Sequence, residues 1–139
     1  MTLAAVRRAY RTWHDSRGED VNDFMELAAD DVHLITLADG ASPLEFSRSC
    51  RDKADFRRYL EGLIGDWDLL GATVEEMIAQ RDWVVLLLET SWRNRRTDRS
   101  FSSPAAHAWR FHADKATEIR LFFDSARWTT AASGDAPRR

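Results

Sequence analysis

Phe101–Asp124 reads FSSPAAHAWRFHADKATEIRLFFD, two strand-like runs joined by a short polar break. Phe101 to His112 and Thr117 to Phe123 are the runs, and Ala113 to Lys115 is the turn between them. Side chains alternate across a strand, so His107, Trp109 and Phe111 share one face while Ala106, Ala108, Arg110 and His112 share the other. A single titratable ring therefore stands on an otherwise aromatic face. Upstream, Trp83 to Trp92 is a strand buried on both faces for much of its length, and Arg95 to Arg99 turns it back onto Phe101. With that hairpin centred near Thr97 and Asp98, Leu88, Thr90 and Trp92 fall on the face of His107. Leu70 to Gln80 reads as one more strand, broken from the next by Arg81-Asp82, and the second half of the chain is an antiparallel meander.

The first half obeys a different period. Leu3, Val6, Tyr10 and Trp13 recur at three- and four-residue spacing with Arg7, Arg8, Arg11 and Asp15 between them, which predicts an amphipathic helix broken at Gly18. Asp20 is placed to cap a second short helix carrying Val21, Phe24, Met25 and Leu27, closed by Asp30 and Asp31. Val32 to Leu37 follows as a strand, Asp39 to Ser49 as a loop, and Asp52 caps a third helix with Phe56, Leu60, Leu63, Ile64 and Trp67 on one stripe. Helices first and a meander after is an α+β layout, with a curved sheet wrapped over helices. We read residues 1–128 as one domain and 129–139, rich in Ser, Thr, Ala, Gly, Pro and Arg, as a disordered tail.

The 139 residues are 44% hydrophobic and carry 20 Lys+Arg against 23 Asp+Glu, a formal charge of -3. A chain of this length hides roughly two-thirds of its unfolded surface in one core without a metal or disulfide staple. The near-balance of charge lacks the footprint of a nucleic-acid binder or of a polybasic membrane-surface protein. The longest apolar run, Trp83 to Leu88, is too short to span a bilayer. One cysteine, Cys50, forms no intrachain disulfide, and the N-terminus lacks the apolar core of a signal peptide, so the cytoplasm is the default compartment.

The order of elements, Leu27-Ala28-Ala29-Asp30-Asp31-Val32 before the first strand, His107-Ala108-Trp109-Arg110-Phe111 and Glu118-Ile119-Arg120-Leu121-Phe122-Phe123-Asp124 together resemble the nuclear transport factor 2-like superfamily. The resemblance is to its SnoaL-like polyketide-cyclase and ketosteroid-isomerase-like branches and covers nearly all of Leu3 to Arg127. It implies a cone-shaped barrel, with N-terminal helices packed in a strongly curved, mostly antiparallel sheet around a deep apolar pocket. It also implies homodimers pairing through the sheet. Where such relatives often carry Thr-Gly and Asp-Gly-Lys in the last two hairpin turns, this chain has Thr97-Asp98 and Ala113-Asp114-Lys115. Asp is among the few residues that enter the left-handed region tolerably.

No Gly-rich phosphate loop, G-x-S-x-G elbow, C-x-x-C or H-E-x-x-H is present, so no cofactor is expected. His107 and His112, an odd number apart on a strand, face opposite ways and share no metal. Cys50 reads as a bystander thiol. The resemblance puts His107 at the strand position where ketosteroid isomerases hold an oxyanion-stabilising acid, and Tyr10 one residue from their oxyanion-hole tyrosine. Their general base falls on Thr36, which cannot serve as one. Asp124 matches an acid that limonene-epoxide-hydrolase-like and cyclase-like relatives use, but the Arg and Asp of the epoxide-hydrolase triad fall on Leu88 and Thr90.

The expected catalytic set is therefore His107 donating or shuttling a proton, Asp124 as acid or base, and Tyr10 hydrogen-bonding the substrate oxygen. Trp13, Trp92, Trp109, Leu88 and Phe111 are the expected walls. This suits a small hydrophobic ligand and cofactor-free isomerase, cyclase, dehydratase or hydrolase chemistry. The alternative is a non-catalytic ligand-binding or dimeric interaction domain of the same fold. Blander readings stand beside each residue. His107 fits a core histidine with one hydrogen bond, Asp124 a cap or a partner of Arg120 or Arg127, and Tyr10 and Trp13 ordinary core. Glu89 fits a partner of Arg110 or Arg120, and Arg93, Arg95, Arg96 and Arg99 fit a solvated hairpin.

Overall fold

A computed structural model describes residues 3–134. Helix α1 (Leu3–Asp15) turns Val6, Ala9, Tyr10 and Trp13 inward. It ends in a Schellman motif, in which Gly18 N donates to Trp13 O at 2.8 Å and Arg17 N to His14 O at 3.2 Å. Both Arg17 (φ 56°) and Gly18 (φ 85°) are left-handed there. Helix α2 (Asn22–Leu27) is not capped by Asp20: Val21 is the N-cap residue, and the Asp20 carboxylate instead accepts from Asn22 N at 3.1 Å in the turn before it. Asp30 and Asp31 do not close α2 either, because β1 (Ala28–Thr36) has already begun.

The loop that follows contains a 3-10 turn, Glu45–Ser47. Asp52 caps α3 (Lys53–Asp66) as expected, accepting from Asp55 N at 2.7 Å. Trp67, expected on that helix's stripe, instead takes an extended conformation and opens the long strand β2 (Trp67–Gln80).

Strands β3 (Trp83–Asn94), β4 (Ser100–His112) and β5 (Lys115–Phe123) complete the meander. The sheet order is β1-β5-β4-β3-β2, antiparallel throughout except that β1 lies parallel to β5. Leu86 pairs with His107, Thr90 with Ser103 and Trp92 with Phe101, which puts Leu88, Thr90 and Trp92 on the face of His107 as parity requires. Register shifts interrupt β2 between Leu69 and Gly71 and between Val74 and Glu76, and the β4–β5 pair between Arg110 and Phe111. Such bulges bend a strand and sharpen its twist, so the sheet curls without closing. Helix α1 packs on β2, α3 on β1 and β2, and α2 on β1 and β5, which makes the fold the expected α+β cone. Asp98 (φ 60°), Ala113 (φ 49°) and Asp114 (φ 67°) take the left-handed conformations that the two hairpin turns demand.

The C-terminal expectation needs correcting. The chain does not fray at Thr129 but folds into α4 (Ser125–Ala132), with Trp128, Ala131 and Ala132 buried. Residues 135–139 of the expected tail lie outside the described residues. Nor is the β3–β4 hairpin a merely solvated arginine cluster. Arg93 and Arg95 hold Asp68 at the start of β2. Arg96 donates to Ala132 O and Gly134 O, Thr97 Oγ1 to Ala131 O at 2.5 Å, and Arg99 to Thr130 O at 3.2 Å. The hairpin thereby satisfies carbonyls that the last turn of a helix leaves open, with two cations at its negative end. Glu89 is exposed and pairs with neither expected arginine, since Arg110 holds Asp82 at 2.9 Å and Arg120 holds Glu118 at 2.5 Å.

Candidate functional site

Between the helices and the inner face of the sheet lies an apolar cavity of about 50 Å³. Tyr10 and Trp13 reach it from α1, Phe24 from α2, and Phe56, Tyr59, Leu60 and Leu63 from α3. The sheet contributes Thr90, Trp92, Ala105, His107 and Trp109, and then Ile119, Leu121 and Phe123 on alternate positions of β5. Phe46 and Trp128 complete the lining. Among the described residues no carboxylate lines it.

Three residues far apart in sequence meet in one hydrogen-bonded chain. Trp109 Nε1 lies 2.8 Å from the Tyr10 hydroxyl, which lies 2.7 Å from His107 Nδ1. An indole nitrogen only donates, so the phenol oxygen accepts from Trp109, and its own proton is free to go to His107 Nδ1. Counting donors in this way leaves the proton of a neutral imidazole on Nε2, an N–H with no partner among the described residues. Burial holds the imidazole neutral by pushing its pKa down from 6.5 to about 4, and burial raises that of Tyr10. In this arrangement the Tyr10 proton points to His107 Nδ1. The Tyr10 ring is also packed edge-on against Phe24, with centroids 5.0 Å apart.

The expected site comes together in part. Tyr10, Trp13, Trp92, His107 and Trp109 line the cavity. Asp124 does not: 41% of its side chain is exposed, and it caps α4 by accepting from Arg127 N at 3.2 Å while pairing with Arg127 Nε at 3.3 Å. Ile119, Leu121 and Phe123 are the inward positions of β5, so the next residue falls on the alternate side. That signal was available in the parity of the strand. Leu88 and Phe111 are buried in the core beyond the lining, Phe111 stacked on Trp109 with centroids 6.2 Å apart. Thr36, at the position of the isomerase base, donates to Ser47 O and accepts from Asp39 N at 3.1 Å, fastening the loop after β1.

The lining residues that sequence reasoning missed include the aliphatic Leu60, Leu63, Ile119 and Leu121 and a set of aromatics, Trp128 among them. Trp128 lies 4.7 Å from Trp67 and 4.9 Å from Trp92, centroid to centroid. The helical rise from the Asp124 cap would have turned it inward, had α4 been recognised. Two buried indole N–H groups, those of Trp13 and Trp92, have no partner among the described residues. Cys50 is buried, its thiol pushed up to about 11 chiefly by desolvation, which leaves it protonated and unreactive. Among the described residues no group of three or more His, Cys, Asp or Glu is placed to hold a metal ion, and no helix is long and apolar enough to cross a membrane.

The whole architecture recurs in solved structures. A nuclear-transport-factor-2-like protein of unknown function from Burkholderia pseudomallei superposes with a TM-score of 0.81 at 19% identity, over 96% of this chain and 100% of that one. A protein with a ketosteroid-isomerase-like fold from Catenulispora acidiphila, in complex with trimethylamine, gives 0.75 at 14%, over 95% and 94%. TerC co-crystallised with polyporic acid gives 0.76 at 18%, over 95% and 98%. No curated protein matches the sequence. At these identities the likeness is one of fold. The SnoaL-like domain model matches residues 6–119, from the second turn of α1 to the middle of β5, and the chain belongs to the SnoaL-like family.

Proposed function

We propose that the cavity binds a small, ring-containing hydrophobic molecule whose carbonyl oxygen accepts a hydrogen bond from His107 Nε2. The observation that carries this reading is the neutral imidazole itself. Its Nδ1 is occupied by Tyr10, while Nε2 is left without a partner among the described residues, against an apolar cavity. A donor in such surroundings is worth more than in water and orients whatever it binds. The neighbours co-crystallised with polyporic acid and complexed with trimethylamine support a fold that takes small organic molecules. Acting on a carbonyl, the same donor would polarise it toward enolisation. The site would then work as an electrophile without a resident base, because no carboxylate lines it. Isomerase, cyclase or dehydratase chemistry would here require the substrate or a water to take the proton.

The test compares 1-tetralone with its hydrocarbon tetralin by calorimetric titration of the wild type and His107→Leu. A single hydrogen bond predicts a preference for the ketone of roughly 3- to 10-fold in the wild type and none in the variant. An equal preference in both proteins removes His107 from the site.

A second reading, self-association, has its own observation. On the outer face of the sheet, Leu87 pairs with Ala106 and Ala106 with Phe122, with Val85 paired to Ile78 and Ala108 beside them. Leu87, Ile78 and Phe122 are 39%, 49% and 43% exposed, an apolar stripe across four strands that a second copy would cover. Light scattering of the wild type should then give a dimer, and Leu87→Glu a monomer. A monomeric wild type at high concentration excludes it.

A further inference from the structure

We propose that Trp128 is the residue that sets how large a molecule the cavity accepts, its indole acting as a plug that withdraws to admit a longer ligand. The proposal rests on the ligand-binding reading above and adds a limit of size to it. The cavity's roughly 50 Å³ accommodates a handful of waters, whereas small-molecule sites run to roughly 300–1,000 Å³. Something in the lining has to give before a ring system fits, and the wall residues differ in how they are held. His107, Tyr10 and Trp109 are tied to one another by hydrogen bonds. The side chain of Trp128 makes no hydrogen bond to any described residue. It is held by apolar packing, with rings at 5.4 Å (Phe46), 5.3 Å (Phe101) and 5.8 Å (Phe123), besides Trp67 and Trp92. Withdrawing it breaks no polar contact.

The backbone beneath it is anchored independently. Asp124 caps the start of α4, and Arg96, Thr97 and Arg99 hold the carbonyls at its end, so the ring can leave its place while the helix stays. The part of the lining beside Trp128 is also poorly satisfied as it stands. Trp92, packed against it, keeps a buried N–H with no acceptor, a group that native interiors rarely leave unpaired. A ligand bearing a second acceptor could reach that donor once the plug has moved.

The experiment titrates the two-ring 1-tetralone, the three-ring 9-fluorenone and its hydrocarbon fluorene into the wild type, Trp128→Ala and Trp128→Phe. Folding of each variant is checked by near-ultraviolet circular dichroism. We expect Trp128→Ala to bind fluorenone at least tenfold more tightly than the wild type, Trp128→Phe to fall between them, and tetralone to gain in the same order but by a smaller factor. If the alanine variant does not fold, Trp128→Phe, which keeps a ring in place, carries the comparison. Equal fluorenone affinity in wild type and folded variants overturns the plug, as does the absence of any binding in all three. A gain shared by fluorenone and fluorene and unaffected by adding His107→Leu supports the plug while removing the His107 donor. A ketone preference without a gain does the reverse.

Discussion

His107 contributes to stability in a way that depends on pH, and the sign follows from its burial. The folded protein holds its imidazole at a pKa of about 4, against 6.5 for an ordinary histidine. Between those values the unfolded chain binds a proton at this residue that the folded chain does not. Stability therefore falls as pH drops from 6.5 toward 4, by about 1.4 kcal/mol per unit, reaching roughly 3 kcal/mol before levelling. Above pH 6.5 the contribution is constant. Urea unfolding of the wild type and His107→Leu at a series of pH values should show the wild type losing more stability over this window, and parallel slopes would contradict it. The face on which His107 stands was legible from alternation along β4 alone. Its bond to Tyr10 was not, because the two residues are 97 positions apart and meet only through the packing of α1 on the sheet. Asp124 illustrates the opposite error: resemblance drew it inward, while the parity of β5 and the Asp-x-x-Arg spacing of a helix cap both turned it out.

Elements were legible wherever one local signal was unopposed. The Asp52 cap follows from a side chain acting on nearby backbone, and the left-handed aspartates at 98 and 114 from a residue type that tolerates that conformation. Boundaries slipped where two patterns overlapped. Trp67 continues the helical stripe of α3 and equally begins the alternation of β2, and only the extended backbone after Asp66 decides between them. Gly18 carries a stricter requirement than a break. Its φ is 85°, and a Cβ built there would lie 2.6 Å from Ile64 Cγ2. Gly18→Ala should cost about 2 kcal/mol, from left-handed strain plus the displacement of Ile64, measured by equilibrium denaturation. A change under half of that would mean that the α1–α2 turn adjusts freely.

At the scale of the whole molecule, the antiparallel meander and the first strand were evident in sequence, but the place of that strand beside β5 was not. No local pattern announces that β1 will lie parallel to β5, since that pairing is set by how three helices fill the hollow of the curl. Helix α4 was hidden for a related reason. Its eight residues are small or polar except Trp128, and their inward side exists only once the sheet supplies Trp67, Trp92 and Phe123 to receive it.

The parallel seam has a kinetic consequence. Leu34 pairs with Ile119 and Thr36 with Leu121, so the first strand made during synthesis finds its neighbour only when the last one has been made. Until then the nascent chain carries β1 and the apolar sides of its helices without their cover. Contacts spanning so much sequence are slow to form, and refolding should proceed in milliseconds to seconds rather than microseconds. Stopped-flow fluorescence of its tryptophans would measure this, and a microsecond phase carrying the full amplitude would refute it. Ile119, fully buried and paired with both Leu34 and Trp109, sits where that late seam meets the cavity wall. The wall that β5 gives the pocket, and the seam that closes the sheet, therefore both wait on the last strand to be made.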